Sequence, residues 1–335
     1  MPSANVAVRG SDGRSSGATV RWLTRLLLPV LIVVMEIGFS TFEPRVLSVR
    51  NLVNVLNQSS YLVVFASAQM VVILTRGFDL SLGTTVSAVS VASALVMTGM
   101  VEGGSPMALA ILLGFGAGLG LGLLVGIFNG FFVSRLGVNP FVVTLGSLNI
   151  CLGIATTISG GRPVFNVPDP FSTLLATGTI LSVPVPLVLA VAICLLLYFL
   201  LEGTVFGRSL YLIGNNPRAA LLAGLPSARY LLIAYIICSL LAAFGALMLT
   251  GRTGSGEPNL GGSLMIESIA AAVIGGVSLQ GGVGGIIQVI LGSIFVTMLS
   301  NGMDLLEVDG YIQQIILGCV IIGAIFLDRI RTTRG

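Results

Sequence analysis

Among 335 residues only 9% carry a charge, and neither lysine nor histidine occurs at all. So few charges cannot cover a surface that faces water. A lipid-facing surface needs none, because the surrounding solvent is itself apolar. A hydrophobic content of 55% and a mean hydropathy of +1.04 point the same way. Ten spans of roughly 20 residues would occupy about 200 positions. The expected fold class is therefore all-α: a polytopic membrane protein with about ten transmembrane helices.

The apolar runs fall at about 21–40, 57–75, 80–100, 107–134, 138–158, 182–202, 229–250, 262–279, 283–300 and 310–327. Two of them, 138–158 and 262–279, hold enough Gly, Ser and Pro to be broken or partly re-entrant. The first run, flanked by Arg21 and Arg25, has the shape of a signal-peptide core, but no small-x-small cleavage site follows it. It reads as an uncleaved span. Residues 1–20 are Gly/Ser-rich and read as a disordered cytosolic tail, 21–330 as the transmembrane domain and 331–335 as a second short tail.

Arginine placement sets the orientation. With an internal N-terminus and ten spans, twelve of the sixteen arginines lie in the cytosol and only Arg45, Arg50, Arg162 and Arg252 lie outside. That is the bias of the positive-inside rule. An odd number of spans would put Arg329, Arg331 and Arg334 on the wrong side. Both termini and the 204–228 loop are then cytosolic. Within that loop Asn216 suits a helix N-cap, Pro217 the first helical position and Gly224 the exit. Seven or so residues cannot hold a helix alone in water, so this one needs a packing partner.

The same composition excludes most chemistry. Without histidine there is no Ser–His or Cys–His pair, no HExxH and no imidazole metal site. GGVSLQGGVGG at 275–285 lacks the GK[ST] ending of a phosphate loop, so any ATP site belongs to a partner. The four cysteines, Cys151, Cys194, Cys238 and Cys319, show no CxxC spacing and read as small buried hydrophobes. The net charge of +3 is no nucleic-acid footprint. Gly114, Gly118, Gly122, Gly126 and Gly130 recur every four residues and predict a helix face that a neighbour can approach closely.

Polar residues in the runs mark candidate path positions. Asn54, Asn57, Gln58 and Gln69 project within about 120° of one another at 100° per residue. Asp79, in ILTRGFDLSLG, suits either a helix cap or a turn beside a path. Glu36 and Glu267 are the deep acids, and the spans offer them no basic partner. A charge at mid-bilayer costs on the order of 2.5–3.5 kcal/mol on insertion scales, so both should face protein or water. The candidate translocation residues are Asn57, Gln58, Gln69, Asp79 and Glu267.

Three segments together carry a resemblance: GFDLSLG at 77–83, FGRSLYLIGNNPRAALLAGL at 206–225 and ESIAAAVIGGVSLQGGVGG at 267–285. In this order, with VNPFVVTLGSLNI at 138–150 and NGMDLLEV at 301–308, they resemble the ribose/xylose/autoinducer-2 permeases of ABC importers, related to branched-chain amino-acid permeases. The resemblance implies a ten-helix domain of the vitamin-B12-importer type in a bacterial inner membrane. It implies a non-catalytic subunit that dimerises with a second permease, identical or not. It also implies an ABC ATPase partner that binds ATP and Mg, and solute delivery by an extracytoplasmic binding protein. The segment equivalent to the ATPase-coupling loop contains Phe206, Gly207, Arg208, Asn215, Asn216, Pro217, Arg218, Ala219, Ala220 and Gly224.

The external loop 159–181, rich in proline and phenylalanine, would help dock the binding protein. Arg76, Met265 and Leu152 depart from residues common in such relatives. Spans two to five and seven to ten, if duplicated, would be inverted by their odd offset, with the path at the interface. The competing readings are an autoinducer-2 or branched-chain amino-acid permease, and an ion-coupled secondary transporter.

Overall fold

The structure is a computed structural model that describes the backbone of residues 14–333 and the side chains of residues 28–326. The expected tails lie outside the described residues at 1–13 and 334–335; residues 14–20 and 331–333 are helical. Ten apolar helices follow the ten expected runs. They are α1 (Arg14–Phe42), α2 (Val49–Ile73), α3 (Leu82–Glu102), α4 (Met107–Ser134) and α5 (Pro140–Ser159), then, after a four-residue α6 (Asp169–Ser172), α7 (Val185–Gly203). Two shorter helices, α8 (Val205–Asn215) and α9 (Pro217–Leu222), precede α10 (Ser227–Thr253), α11 (Leu264–Gly275), α12 (Ile286–Leu305) and α13 (Gly310–Thr333). Seven of these are long and apolar enough to cross a membrane; the described parts of α1 and α13, and the short α11, are shorter apolar helices. The chain is a multi-pass helical membrane protein.

Because its helices alternate in direction, the bundle has two ends. One carries α8, α9 and the turns 74–81 and 276–285. The other carries segments 43–48, 160–184, 254–263 and 306–309. The only strands among the described residues, β1 (Thr179–Ile180) and β2 (Val183–Pro184), pair as a two-residue-turn hairpin at this second end. The hairpin tip holds Leu181 and Ser182, both with positive φ, the conformation such turns require. In the same loop Phe171 is fully buried and Phe165 is exposed, so only part of the expected docking loop is available to a partner.

Helix α2 is the axis of the core. It is buried along nearly all of its second half and packs against α7, α10, α11 and α12. The outer faces of α4 and α7 instead present Leu112, Leu124, Leu195 and Phe199, each more than 60% exposed, as a lipid-facing surface does. Cys151, Cys194 and Cys238 are buried as expected, whereas Cys319 on α13 is exposed.

The glycine stripe of α4 is the close-approach face. A Cβ on Gly122 would meet Ala243 and the Ser239 carbonyl of α10, and one on Gly126 would lie 2.8 Å from the Ile236 Cα and 3.0 Å from the Tyr235 carbonyl oxygen. Gly116 and Gly120, between them, face open space. The run 138–158, expected to be broken, is a continuous α5. The break falls in 262–279, where α11 ends at Gly276 (φ +106).

Two irregular segments interrupt the bundle, 74–81 from one end and 254–263 from the other. The first leads into α3, whose Gly83 crosses Gly261 of the second so closely that a Cβ on either would strike the other's carbonyl. The second segment lies along a stripe of buried serines on α3. Ser87 Oγ accepts from the Gly261 N–H (3.1 Å) and Ser90 Oγ from the Glu257 N–H (3.2 Å).

Gly122→Val should therefore destabilise the protein by about 1–3 kcal/mol or more through overpacking, while Gly120→Val stays near wild type. Thermal unfolding in detergent separates the two. Equal melting temperatures would contradict the α4–α10 close approach.

Candidate functional site

The end that carries α8 and α9 is built around a capped helix pair. Thr204 opens α8, its Oγ1 accepting from the Gly207 N–H (3.3 Å). Gly207 is obligatory there, since a Cβ would collide with the Leu201 backbone. Asn216 opens α9 by accepting from the Ala219 N–H (3.0 Å), and Pro217 takes the first position. At the exit, Gly224 (φ +73) and Leu225 donate to the Leu221 and Ala220 carbonyls (3.0 and 3.1 Å), the paired bonds of a Schellman cap. Thus the expected helix at 216–224 is present, but a second, longer helix precedes it.

Of the expected coupling residues, Arg208, Asn215, Asn216, Pro217, Arg218, Ala219 and Gly224 are exposed, Phe206 is half-buried, and Gly207 and Ala220 are buried. The most prominent apolar groups of α9 are Leu221 and Leu222, which are 70% and 88% exposed.

Helix α8 is anchored to both turns at this end. Arg76 adopts φ +65, an uncommon conformation for a side chain other than glycine. Its guanidinium donates from Nε to the Gly214 carbonyl (2.6 Å) and from Nη2 to the Asn215 carbonyl (2.9 Å). These are orphan carbonyls at the C-terminus of α8, where a cation is favoured. The 276–285 turn joins them. Gly282 N–H donates to the Leu74 carbonyl (2.9 Å), Asn215 Nδ2 to the Gly282 carbonyl (3.3 Å) and the Tyr211 hydroxyl to the Gly284 carbonyl (2.9 Å). Burial, aided by Glu202, pushes the Tyr211 hydroxyl up to about 12, so it remains a donor. A Cβ on Gly214 would collide with the Leu74 carbonyl. Helix α8 and both turns therefore form one joint.

Asp79 and Gln69 belong to the buried framework behind that joint. Asp79 is 1% exposed, and its Oδ1 accepts from the Ser81 N–H (2.9 Å) and hydroxyl. Asn129 donates to Ser81 Oγ (3.0 Å) and Tyr235 to the Phe78 carbonyl (3.3 Å). The Gln69 amide, fully buried, pairs with both backbone groups of Asp79 (3.3 and 3.2 Å). These two candidate path residues hold the 74–81 turn in place, and neither faces a cavity here.

The other end brings Gln58 and Glu267 together. A cavity of about 160 Å³ between α2, α10, α11 and α12 is lined by Gln58, Tyr61, Arg252, Glu267, Thr297 and Ser300, with aliphatic neighbours. Glu267 and Ser300 also line a cavity of about 460 Å³ against α13, with Ser263, Gln313 and Gln314. Asn57 is half-buried with its Oδ1 unpartnered, and it is not among the residues lining either cavity. Glu36, the other deep acid, is 8% exposed on α1 and lines neither.

Arg252 and Tyr61 were missed by sequence reasoning. The run was ended at 250, which left Arg252 in a loop and Glu267 without a basic neighbour. Helix α10 instead continues to Gly254, whose φ of +66 marks the exit. Arg252 thus sits in its last turn, with its Cζ 5.2 Å from the Tyr61 ring centre. A glycine C-cap four residues past the run, Gly254, is the available signal.

Arg76→Gly preserves the left-handed backbone and removes both hydrogen bonds. Each bond to a charged donor is worth about 1.5–3 kcal/mol, so amide exchange across 205–215 should accelerate roughly tenfold or more in the intact protein. Unchanged exchange there would contradict the capping role.

Comparisons with known proteins agree with this architecture. Residues 51–325 match the family described as branched-chain amino acid transport system / permease component. The ribose import permease protein of Bacillus subtilis (strain 168) is 34% identical over 88% of this chain and 90% of its own. The D-allose transport system permease protein of Escherichia coli (strain K12) is 31% identical over 90% of each. The galactose/methyl galactoside import permease protein of the same organism is 34% identical over 87% of this chain and 90% of its own. No solved structure matches.

Proposed function

The chain belongs to the branched-chain amino acid transport system / permease component family, and on that premise we propose that it is the membrane-spanning permease subunit of an ATP-driven importer for a sugar or sugar-like solute. The observation that carries the proposal is the exposed, doubly capped α8–α9 pair, rigidly jointed to the two turns of the bundle. Helix α9 has six residues and presents Leu221, Leu222 and Arg218 to whatever lies beyond. Such a short helix gains its stability from caps and from a partner. The partner proposed is an ABC ATPase, which supplies the ATP and Mg site that a lysine-free chain lacks.

In this reading residues 21–330 form the translocating domain, 204–228 the docking segment, and the chain itself performs no catalysis. ATP-driven movement of the ATPase pulls on α9. The Arg76 joint passes that movement to the 74–81 and 276–285 turns, and the helices they connect tilt. Solute reaches the opposite end from an extracytoplasmic binding protein, to which the 160–184 loop offers Phe165, Leu174 and Leu181, all more than 60% exposed. Both termini and the α8–α9 end face the cytosol of a bacterial inner membrane, as arginine placement favours. A second permease subunit, identical or not, completes the path, and lipid covers the remaining apolar surface.

Sugar is favoured as the solute because the ribose, allose and galactose permeases are similar over most of this chain. The family description keeps a branched-chain amino acid as the second reading.

Purification from native membranes in mild detergent should recover a Walker-A ATPase with the chain. Leu222→Asp, a change at an 88% exposed position that leaves the fold intact, should reduce that recovery at least tenfold, and Arg218→Glu should act in the same direction. A wild-type chain that is recovered without any ATPase would contradict the proposal.

A further inference from the structure

We infer that the two adjoining cavities at the end opposite α8–α9 form a solute subsite within the permease itself, built to take one neutral, polyhydroxylated sugar ring. The inference rests on the sugar-import reading above and deepens it. Four observations converge on it.

First, the charges in the smaller cavity are unspent. Arg252 and Glu267 both line it, yet the only ion pair within 4.0 Å among the described residues is Arg45–Glu43. Second, Tyr61 is 3% exposed and its hydroxyl has no hydrogen-bond partner. Leaving a buried hydroxyl unsatisfied costs about 1–3 kcal/mol, an expense without return to the empty protein. Third, the remaining polar lining consists of amides and hydroxyls: Gln58, Thr297 and Ser300, continued in the larger cavity by Gln313 and Gln314. Fourth, Glu267 and Ser300 are shared, so the two cavities, of about 160 and 460 Å³, form one surface.

These groups suit a sugar. The Glu267 carboxylate accepts from vicinal hydroxyls, Arg252 donates in a fork, and the amides do both. Arg252 stands over the Tyr61 ring, and the unpartnered Tyr61 hydroxyl at the cavity wall is left to pair with a solute hydroxyl. The opposed charges leave no net preference for an ionic solute.

Tyr61→Phe separates binding from structure. With no protein partner to lose, the variant keeps or raises the melting temperature if the hydroxyl has no solute to bind, and transport is then untouched. The inference expects the same melting behaviour but a loss of function. The wild-type and variant chains are to be reconstituted with the ATPase and binding protein, and uptake of D-ribose, D-allose, D-galactose and L-leucine measured. Equilibrium binding of each is measured on the permease–ATPase complex without the binding protein. Tyr61→Phe and Glu267→Gln should each lower uptake and direct binding of the transported sugar at least tenfold. Wild-type sugar uptake with variants within twofold of it overturns this inference alone. Uptake of L-leucine, or of none of the three sugars, overturns the sugar reading and this inference with it.

Discussion

Hydrocarbon cannot hydrogen-bond, so each backbone N–H and C=O inside the membrane must find its partner within the protein. Helices meet this demand for their own residues. The two irregular segments cannot, and the rest of the structure is arranged around satisfying them. Gln69 pairs with both backbone groups of Asp79, and Ser81 and Asn129 complete the 74–81 turn. The serine stripe of α3 receives the backbone of 254–263, while Gly256 and Val164 exchange bonds of 2.8 Å at its edge. Once these debts are settled, the breaks become places where helices can change direction under load.

Glycine supplies the necessary proximity. The Gly83–Gly261 crossing joins α3 to the second break, the α4 stripe admits α10, and Gly214 lets α8 rest against the Leu74 carbonyl. Arg76 closes the joint, its strained backbone held by two bonds that also cap α8. A push on α8–α9 is therefore delivered to both turns at once, and through them to α2, α3, α11 and α12. Those helices include three of the four that line the smaller cavity at the opposite end. The proposed ATPase-docking pair and the inferred solute surface sit at the two ends of the same elements.

Much of this was legible in the chain. Long apolar runs identify their helices because the bilayer rewards nothing else, and the four-residue glycine period of α4 has a single geometric meaning. The caps of α9 were readable as well, since Asn216, Pro217 and Gly224 each answer a local backbone need. Depth and partnership were not. On a helical wheel Gln58 and Gln69 share a face, yet eleven residues of rise put one in a cavity and the other behind a buried turn. The segment 254–263 reads as an exposed polar loop because GRTGSGEPNLGG is rich in turn formers; its descent along α3 depends on serines 170 residues away. Helix α2 begins at Val49, eight residues before its apolar run, because Ser48 caps it by accepting from the Asn51 N–H (3.2 Å). Leu221 and Leu222 are legible as an apolar surface on a short helix, and the fold leaves both exposed.

The central claim is that this chain carries solute only when an ATPase acts on it through α8–α9. The most direct measurement is uptake into proteoliposomes holding the chain and its co-purified ATPase, with loaded binding protein outside and ATP with Mg enclosed. The account predicts accumulation that stops when ATP is omitted or replaced by a non-hydrolysable analogue, and no accumulation by the chain alone under a proton or sodium gradient. Gradient-driven uptake by the chain alone would contradict it.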